Sequence, residues 1–246
     1  MTIALFSAAD RPDLVGSAEA MGGGVWPSYL STPAYAEYWK DLYEGGLAPF
    51  QTIAVDGQTG SIAALGNCVP FPWRDDLPDE GWDWVLEAGV IATRNGVACD
   101  AVSALSVAVH ADYRSSGLAR QMLEAMKTAA RAAGLGIMVA PVRPTRKHLY
   151  PFHDFETYCG WTREDGSPFD PWLRTHAQMG AAFLKPAFRS MTVTSTLEQW
   201  QHWTDLRFPQ SGRYWLPHGL APLEVDVASG TGTYIEPNYW LRHPLN

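Results

Sequence analysis

Apolar and polar positions change period several times along the chain. Leu118, Met122, Ala125, Met126 and Ala129 recur at helical spacing, so the pattern predicts an amphipathic helix from Gly117 to Ala133. Gly134 follows it as a C-terminal glycine. The run before it, Ala101 to Val109, is apolar with imperfect alternation, which suits a strand covered on both faces. Gly136 to Val142 reads as a further strand. Strand, helix, strand in this order is a crossover unit, with two parallel or near-parallel strands.

The flanking segments carry their own punctuation. Asp10 to Met21 reads as a short helix, stopped by Gly22-Gly23-Gly24. Thr32-Pro33 places a capping hydroxyl and a proline at the start of a helix that runs towards Tyr43 and stops at Gly45-Gly46. Thr52 to Val55 and Ser61 to Val69 form a hairpin about Asp56-Gly57. An irregular loop follows from Pro70 to Pro78, then a helix from Trp82 to Thr93. Asp170-Pro171 opens another helix, reaching roughly Gly180. Met191 to Thr196 is a strand, and Thr196 caps a helix from Leu197 to Leu206. Leu223 to Val227 and Thr233 to Glu236 make a last hairpin. The expectation is one α/β domain over residues 1–246, with a helical N-terminal edge and a decorated C-terminal part.

Composition narrows the function classes. An apolar share of 46% and a charged share of 18% over 246 residues are ordinary for a globular chain with a sizeable core. The net charge of −8 repels phosphate backbones and argues against nucleic acid as a partner. It also favours cationic small molecules. Cys68, Cys99 and Cys159 are scattered and odd in number, which fits a reducing, cytoplasmic setting and offers no metal spacing. The N-terminal run from Met1 to Asp10 has no basic region before its apolar stretch, and no apolar run reaches the ~18–20 residues of a membrane span. The 11 tryptophans are read mostly as core packing.

Candidate chemistry begins at Arg114-Ser115-Ser116-Gly117, between a strand and a helix N-terminus. The first amides of a helix have no intrahelical partner and carry partial positive charge. Gly117 allows close approach to the backbone, the serines add donors, and Arg114 adds a charge suited to phosphate. The loop lacks the Lys-Ser/Thr ending of a nucleotide P-loop and the glycine spacing of a dinucleotide site.

Arg114, Gly117 and Ala119, as Arg-x-x-Gly-x-Ala, resemble the acyl-CoA pyrophosphate loop of the GNAT superfamily of N-acetyltransferases. The resemblance is strongest over residues 101–142. It implies a mixed, mostly antiparallel central sheet with a splayed parallel pair, flanked by helices. It also implies acetyl-CoA or another short acyl-CoA as co-substrate, with the loop amides of Ser115, Ser116, Gly117, Leu118 and Ala119 on the pyrophosphate. The exposed backbone of the strand holding Val107 and Val109 would take the pantetheine arm.

Acyl transfer to an amine needs a proton acceptor, and a donor for the leaving thiolate. Members of the superfamily often use a tyrosine as that donor, on a helix after the strand that follows the loop helix. Tyr150 and Tyr158 fall in that region, each also readable as a partly buried structural tyrosine. Between them and the strand lie Arg143, Thr145, Arg146, Lys147 and His148, readable as a phosphate or acidic-ligand contact or as a solvated turn. Trp172, His176 and Met179 fall near one face of the helix after Asp170. His176 with Thr145 resembles the pair in GNAT-like loading domains of some polyketide synthases, which decarboxylate malonyl-CoA. There, donors to the thioester oxygen stabilise the enolate. Glu236, Asn238 and His243, near the C-terminus, are candidates for an acceptor pocket, although a capping strand explains them as well.

Three functions are therefore in view. The first is transfer of an acetyl or short acyl group to a small-molecule amine, with His176, Thr145 and Tyr150 as the catalytic candidates. The second is malonyl-CoA decarboxylation with S-acyl transfer, served by an acyl carrier protein that would dock on the Arg143–Lys147 patch. The third is a non-enzymatic acyl-CoA sensor. The first is the expectation carried forward.

Overall fold

A computed structural model describes residues 2–245 of the chain; Met1 and Asn246, the bounds of the expected domain, lie outside the described residues. Nine strands share one sheet. They are β1 (Ile3–Ser7), β2 (Thr52–Asp56), β3 (Ile62–Phe71), β4 (Ala101–Val109), β5 (Ile137–Val142), β6 (Ala182–Thr196), β7 (Gly212–Trp215), β8 (Pro222–Asp226) and β9 (Thr231–His243). The order is β1-β2-β3-β4-β5-β9-β8-β7, with β6 along the other edge of β9. Every strand pair is antiparallel except β4 with β5. This is the mixed, mostly antiparallel sheet with one parallel pair that the resemblance implied.

Among the described residues, seven α-helices flank the sheet: α1 (Val15–Gly23), α2 (Pro33–Tyr38), α3 (Gly81–Arg94), α4 (Leu118–Ala132), α5 (Phe155–Cys159), α6 (Pro171–Gln178) and α7 (Leu197–Thr204). The caps read in the sequence are in place. Thr32 accepts from the Tyr35 amide at α2, Asp170 from the Trp172 and Leu173 amides at α6, and Thr196 from the Gln199 amide at α7. Past Tyr38 the helix tightens to 3-10 turns through Tyr43.

Two cores form on opposite faces of the sheet. Leu123, Met126 and Ala130 of α4 pack with Met138, Tyr158, Leu173 and Leu241. Val85, Leu86 and Val90 of α3 pack with Phe71, Val139 and Trp240. Helix α4 comes down on β3 so closely that a Cβ at Gly66 would stand 2.6 Å from the Met126 methyl, which would have to swing aside. The buried stripe of α4 is Leu118, Met122, Leu123, Met126 and Ala130. Ala125 and Ala129, expected on the stripe, lie at its half-buried margin.

Two expectations at the ends need correction. The N-terminal apolar run, weighed only as a leader, is β1, paired along Ile3 to Ser7 with β2. It is a half-buried edge strand of five residues, too short for a period to declare itself. The last hairpin is real, but its second strand does not stop at Glu236. β9 runs on to His243 and joins both halves of the sheet, pairing with β6, β8 and β5. Pro237 and the mixed polar run around it concealed that length.

Candidate active site

The site begins with a failure of pairing. β4 and β5 are in register at Ala101–Ile137, Val102–Met138 and Ser103–Val139 and nowhere further, although β4 continues to Val109 and β5 to Val142. Two local causes part them. The β3–β4 register passes from Cys68–Ala104 to Asn67–Ser106, which leaves Leu105 as the extra residue of a bulge that bends β4. On β5, Pro141 has no N–H to offer a neighbour. The bulge carbonyl of Leu105 is not wasted: Trp82 Nε1 donates to it at 2.9 Å.

A cavity of about 240 Å³ opens into this parting. Residues 104–108 of β4 and 140–143 of β5 and the turn after it form two of its sides. α1 and the segments after it add Glu19, Trp26, Tyr35, Trp39 and Tyr43, while α6 adds Trp172 and His176 and β9 adds Asn238. Four of the 11 tryptophans line this cavity: Trp26, Trp39, Trp82 and Trp172, the last three while also packing against the cores.

The polar groups on the cavity wall are held in networks. Asn67 accepts from Ser106 Oγ at 2.9 Å and donates to Tyr43 Oη at 2.8 Å and Gln51 Oε1 at 3.1 Å. Asn238 accepts from Ser190 Oγ at 2.7 Å, and that hydroxyl accepts from the Trp82 amide at 2.8 Å. Arg143 sits where β5 ends, and Glu236 on β9 takes its Nε and Nη2 at 2.8 and 3.2 Å. Tyr234 Oη donates to the same carboxylate at 2.7 Å. Burial works against the Arg143 charge, but Glu236 more than offsets this and its pKa is raised.

His176, in the last turn of α6, is 1% exposed and its Nδ1 lies 2.7 Å from Nε2 of His243. Only one proton fits in that bond. Burial, then the neighbouring His243 and Lys127, pull the His176 pKa well below the usual histidine range. Burial and Lys127 pull His243 down to about 4. Both rings are therefore neutral near pH 7. Nε2 of His176 has no partner among the described residues, nor has Nδ1 of His243. With the shared proton on His176, Nε2 is a lone pair; with it on His243, Nε2 is an N–H donor. Either form carries no net charge.

The loop after β4 has the shape of an anion cradle. Ser115 and Gly117 adopt positive φ, +62° and +82°, and no side chain caps α4 among the described residues. A Cβ at Gly117 would meet open space, so it is the left-handed conformation that calls for glycine there. Arg114 and Ser115 are exposed. Ser116 Oγ donates to the Tyr113 carbonyl at 2.6 Å, so this hydroxyl serves the loop rather than a ligand. Leu118 is buried and anchors the turn, and Ala119 is half-buried beside it. Val107 lines the cavity; Val109 is outside the lining and packs against the group holding Leu118 and Met122.

The other candidates separate. Thr145 is exposed, its amide and hydroxyl turned to Asp170 at 3.2 and 3.4 Å, and it is outside the cavity lining that holds His176. Tyr150 packs in an aromatic group with Tyr158, Trp161 and Phe169, also outside the lining. Tyr158 is fully buried and donates to Asp170 at 2.8 Å. The basic segment is not a solvated turn: Lys147 is 1% exposed, bonded to the Tyr150 carbonyl and set over the Trp215 ring, and Arg143 is paired inside. Of Arg143, Arg146 and Lys147, only Arg146 is exposed. Sequence reasoning missed Glu19, Tyr35, Tyr43, Asn67 and Ser106. For Tyr35 and Tyr43 the aromatic density of residues 26–43 was a signal; Glu19, Asn67 and Ser106 had none.

Residues 24–161 match the acetyltransferase (GNAT) family model, more than half of the chain. The chain belongs to the GNAT family of acetyltransferases. It is an acyltransferase by that membership. It is 33% identical over 272 residues to the arginine N-acetyltransferase avaD of Aspergillus versicolor, with 98% of this chain and 94% of that protein aligned. Among solved structures, the loading GNAT-like domain of CurA from Lyngbya majuscula superposes with a TM-score of 0.64 at 15% identity, covering 100% of this chain and 98% of that one. The GphF GNAT-like decarboxylase in complex with isobutyryl-CoA gives 0.57 at 17% identity, with full coverage of both. At these identities the two structures speak for the fold alone.

Proposed function

We propose that this GNAT enzyme transfers the acetyl group of acetyl-CoA to an amine of arginine or a closely similar amino acid. The observation that carries the reading is the cavity at the β4–β5 parting, walled by aromatic rings and lined by the β4 strand that leads into the loop of uncapped helix amides, in a chain aligned along almost its whole length with an arginine N-acetyltransferase. The uncapped amides and exposed Arg114 fit a pyrophosphate, and the unpaired edge of β4 beyond Ser103 fits an amide-bearing arm. When bound, acyl-CoA supplies an activated thioester carbonyl.

The protein's own residues then have three tasks. The cavity walls exclude water and hold the amine against that carbonyl. His176, neutral near pH 7, presents its Nε2 lone pair in the tautomer that donates Nδ1–H to His243. As the C–N bond forms, the nitrogen becomes more acidic, so even a weakly basic imidazole can take its proton. The C–S bond breaks and the thiolate is protonated as it leaves. Tyr43, whose hydroxyl accepts from Asn67 on the cavity wall, is better placed for this than Tyr150 or Tyr158.

One observation favours a second reading, malonyl-CoA decarboxylation: His176 lines the cavity, and its other tautomer would donate to an enolate oxygen. Thr145, the expected second donor, is held on Asp170 instead. An acyl carrier protein, the partner of that reading, would meet a basic segment largely turned inward. The test is release of free CoA thiol from acetyl-CoA. Release that depends on added arginine supports amine acetylation; release indifferent to any amine counts against it.

A further inference from the structure

Glu19 is the one acidic side chain lining the cavity among the described residues, and Arg143 the one guanidinium or ammonium. The two differ in condition. Arg143 is neutralised by both oxygens of Glu236. Glu19, on α1, is partly buried, and burial alone holds its carboxyl above the usual range, with no cation opposing it. Glu19 lines the same cavity as Tyr35, Trp39, Tyr43 and Trp82. There Tyr35, Trp39 and Trp82 form a continuous wall, with ring centroids 5.0 Å apart for Tyr35–Trp39 and 5.8 Å for the stacked Trp39–Trp82 pair.

Aromatic faces attract cations through their quadrupoles, most of all where water is excluded. A carboxylate with no cationic partner costs free energy in such a place unless a ligand supplies the opposite charge. A guanidinium meets both surfaces at once: it is planar enough to stack on the rings and forks to a carboxylate through two N–H groups. The acidic balance of the whole chain, −8, adds long-range attraction of the same sign.

We propose that Glu19 and the Tyr35–Trp39–Trp82 wall form the specificity subsite of the acceptor pocket, selecting a substrate by a planar cationic guanidinium on its side chain. The proposal rests on the amine-acetylation reading for its biological meaning, but the binding it describes stands alone. The experiment measures binding of L-arginine and L-citrulline to the CoA-loaded protein by calorimetry, for wild type, Glu19→Gln and Glu19→Asp. Citrulline has nearly the same shape and no charge. Wild type is expected to prefer arginine at least tenfold. Glu19→Gln should bring the ratio close to one by weakening arginine alone, and Glu19→Asp should restore part of the preference. No preference in the wild type, or a preference that survives Glu19→Gln, overturns the proposal. Equal weakening of both ligands in a variant with unchanged circular dichroism also overturns it, because that marks a general role in pocket shape. Arginine acetylation is followed separately by product mass. A charge-dependent preference without acetylarginine upholds the subsite and contradicts the amine-acetylation reading.

Discussion

The residues that matter most here have unusual conformation or protonation. Gly117 holds φ at +82°, a region a β-branched side chain enters only at a cost of about 1–2 kcal/mol or more, so Gly117→Val should flatten the cradle. Its affinity for acetyl-CoA should fall at least tenfold in calorimetry, with the fold intact by circular dichroism. His176 and His243 share one proton across 2.7 Å, which leaves Nε2 as the free nitrogen of His176 among the described residues. In the proposed reaction His243 would act through His176, as a positioning residue. His243→Asn should lower kcat by roughly 10²-fold, the scale of proton-transfer assistance, while the KM for acetyl-CoA stays near wild type. A fall in kcat/KM caused by KM alone would point to a structural role instead. The left-handed turn at Gly117 before α4 was legible in the sequence because a glycine between a strand end and a helix is a local signal. The histidine pair was not, because its partners are 67 positions apart and only β9 brings them together.

At the scale of elements, the site depends on how the segments after β5 are tied down. One carboxylate does most of this. Asp170 accepts from the amides of Thr145, Arg146, Trp172 and Leu173 and from the hydroxyl of Tyr158, so it caps α6 and fixes the turn after β5 together. Asp170→Ala would leave several buried donors without acceptors and should cost about 3 kcal/mol or more, read as a fall in the urea midpoint. The Asp170-Pro171 helix start was plain in the sequence. The second task of the aspartate was not, because a cap is local and a loop clamp 25 residues upstream is not. The same limit explains Thr145. The resemblance paired it with His176, whereas the structure holds it on Asp170, outside the cavity lining. The strand–helix–strand unit from Ala101 to Val142 was correctly bounded because each element has its own period. The parting of its strands came only from the resemblance, since neither a bulge at Leu105 nor a proline on β5 announces a cavity.

For the whole molecule, two buried neutral histidines set the response to acid. A folded-state pKa below the unfolded value means that the unfolded chain binds more protons as pH falls, so stability is lost on acidification. For His243 the window runs from about 6.5, its unfolded value, down to about 4, a loss of about 3 kcal/mol, and His176 adds to it in the same direction. Asp83, partly buried with Oδ1 unpartnered and raised by burial to about 6, opposes this between about 4 and 6, where the folded state holds its proton and the unfolded state does not. Two histidines outweigh the one carboxyl, so net stability should fall steadily as pH drops from about 6.5 towards about 4, and His243→Asn should flatten that slope in thermal melts. The fold brings the aromatic wall and His176 to one opening in the sheet and sets the loop just past the end of β4, whose residues 104–108 line that opening; the proposed function makes it the place where an amine is acetylated. The most direct measurement is mass spectrometry of the products after the protein meets equimolar acetyl-CoA, malonyl-CoA and L-arginine in one vessel. The account predicts acetylarginine and free CoA, with malonyl-CoA left intact. Conversion of malonyl-CoA to acetyl-CoA without acetylarginine would contradict it.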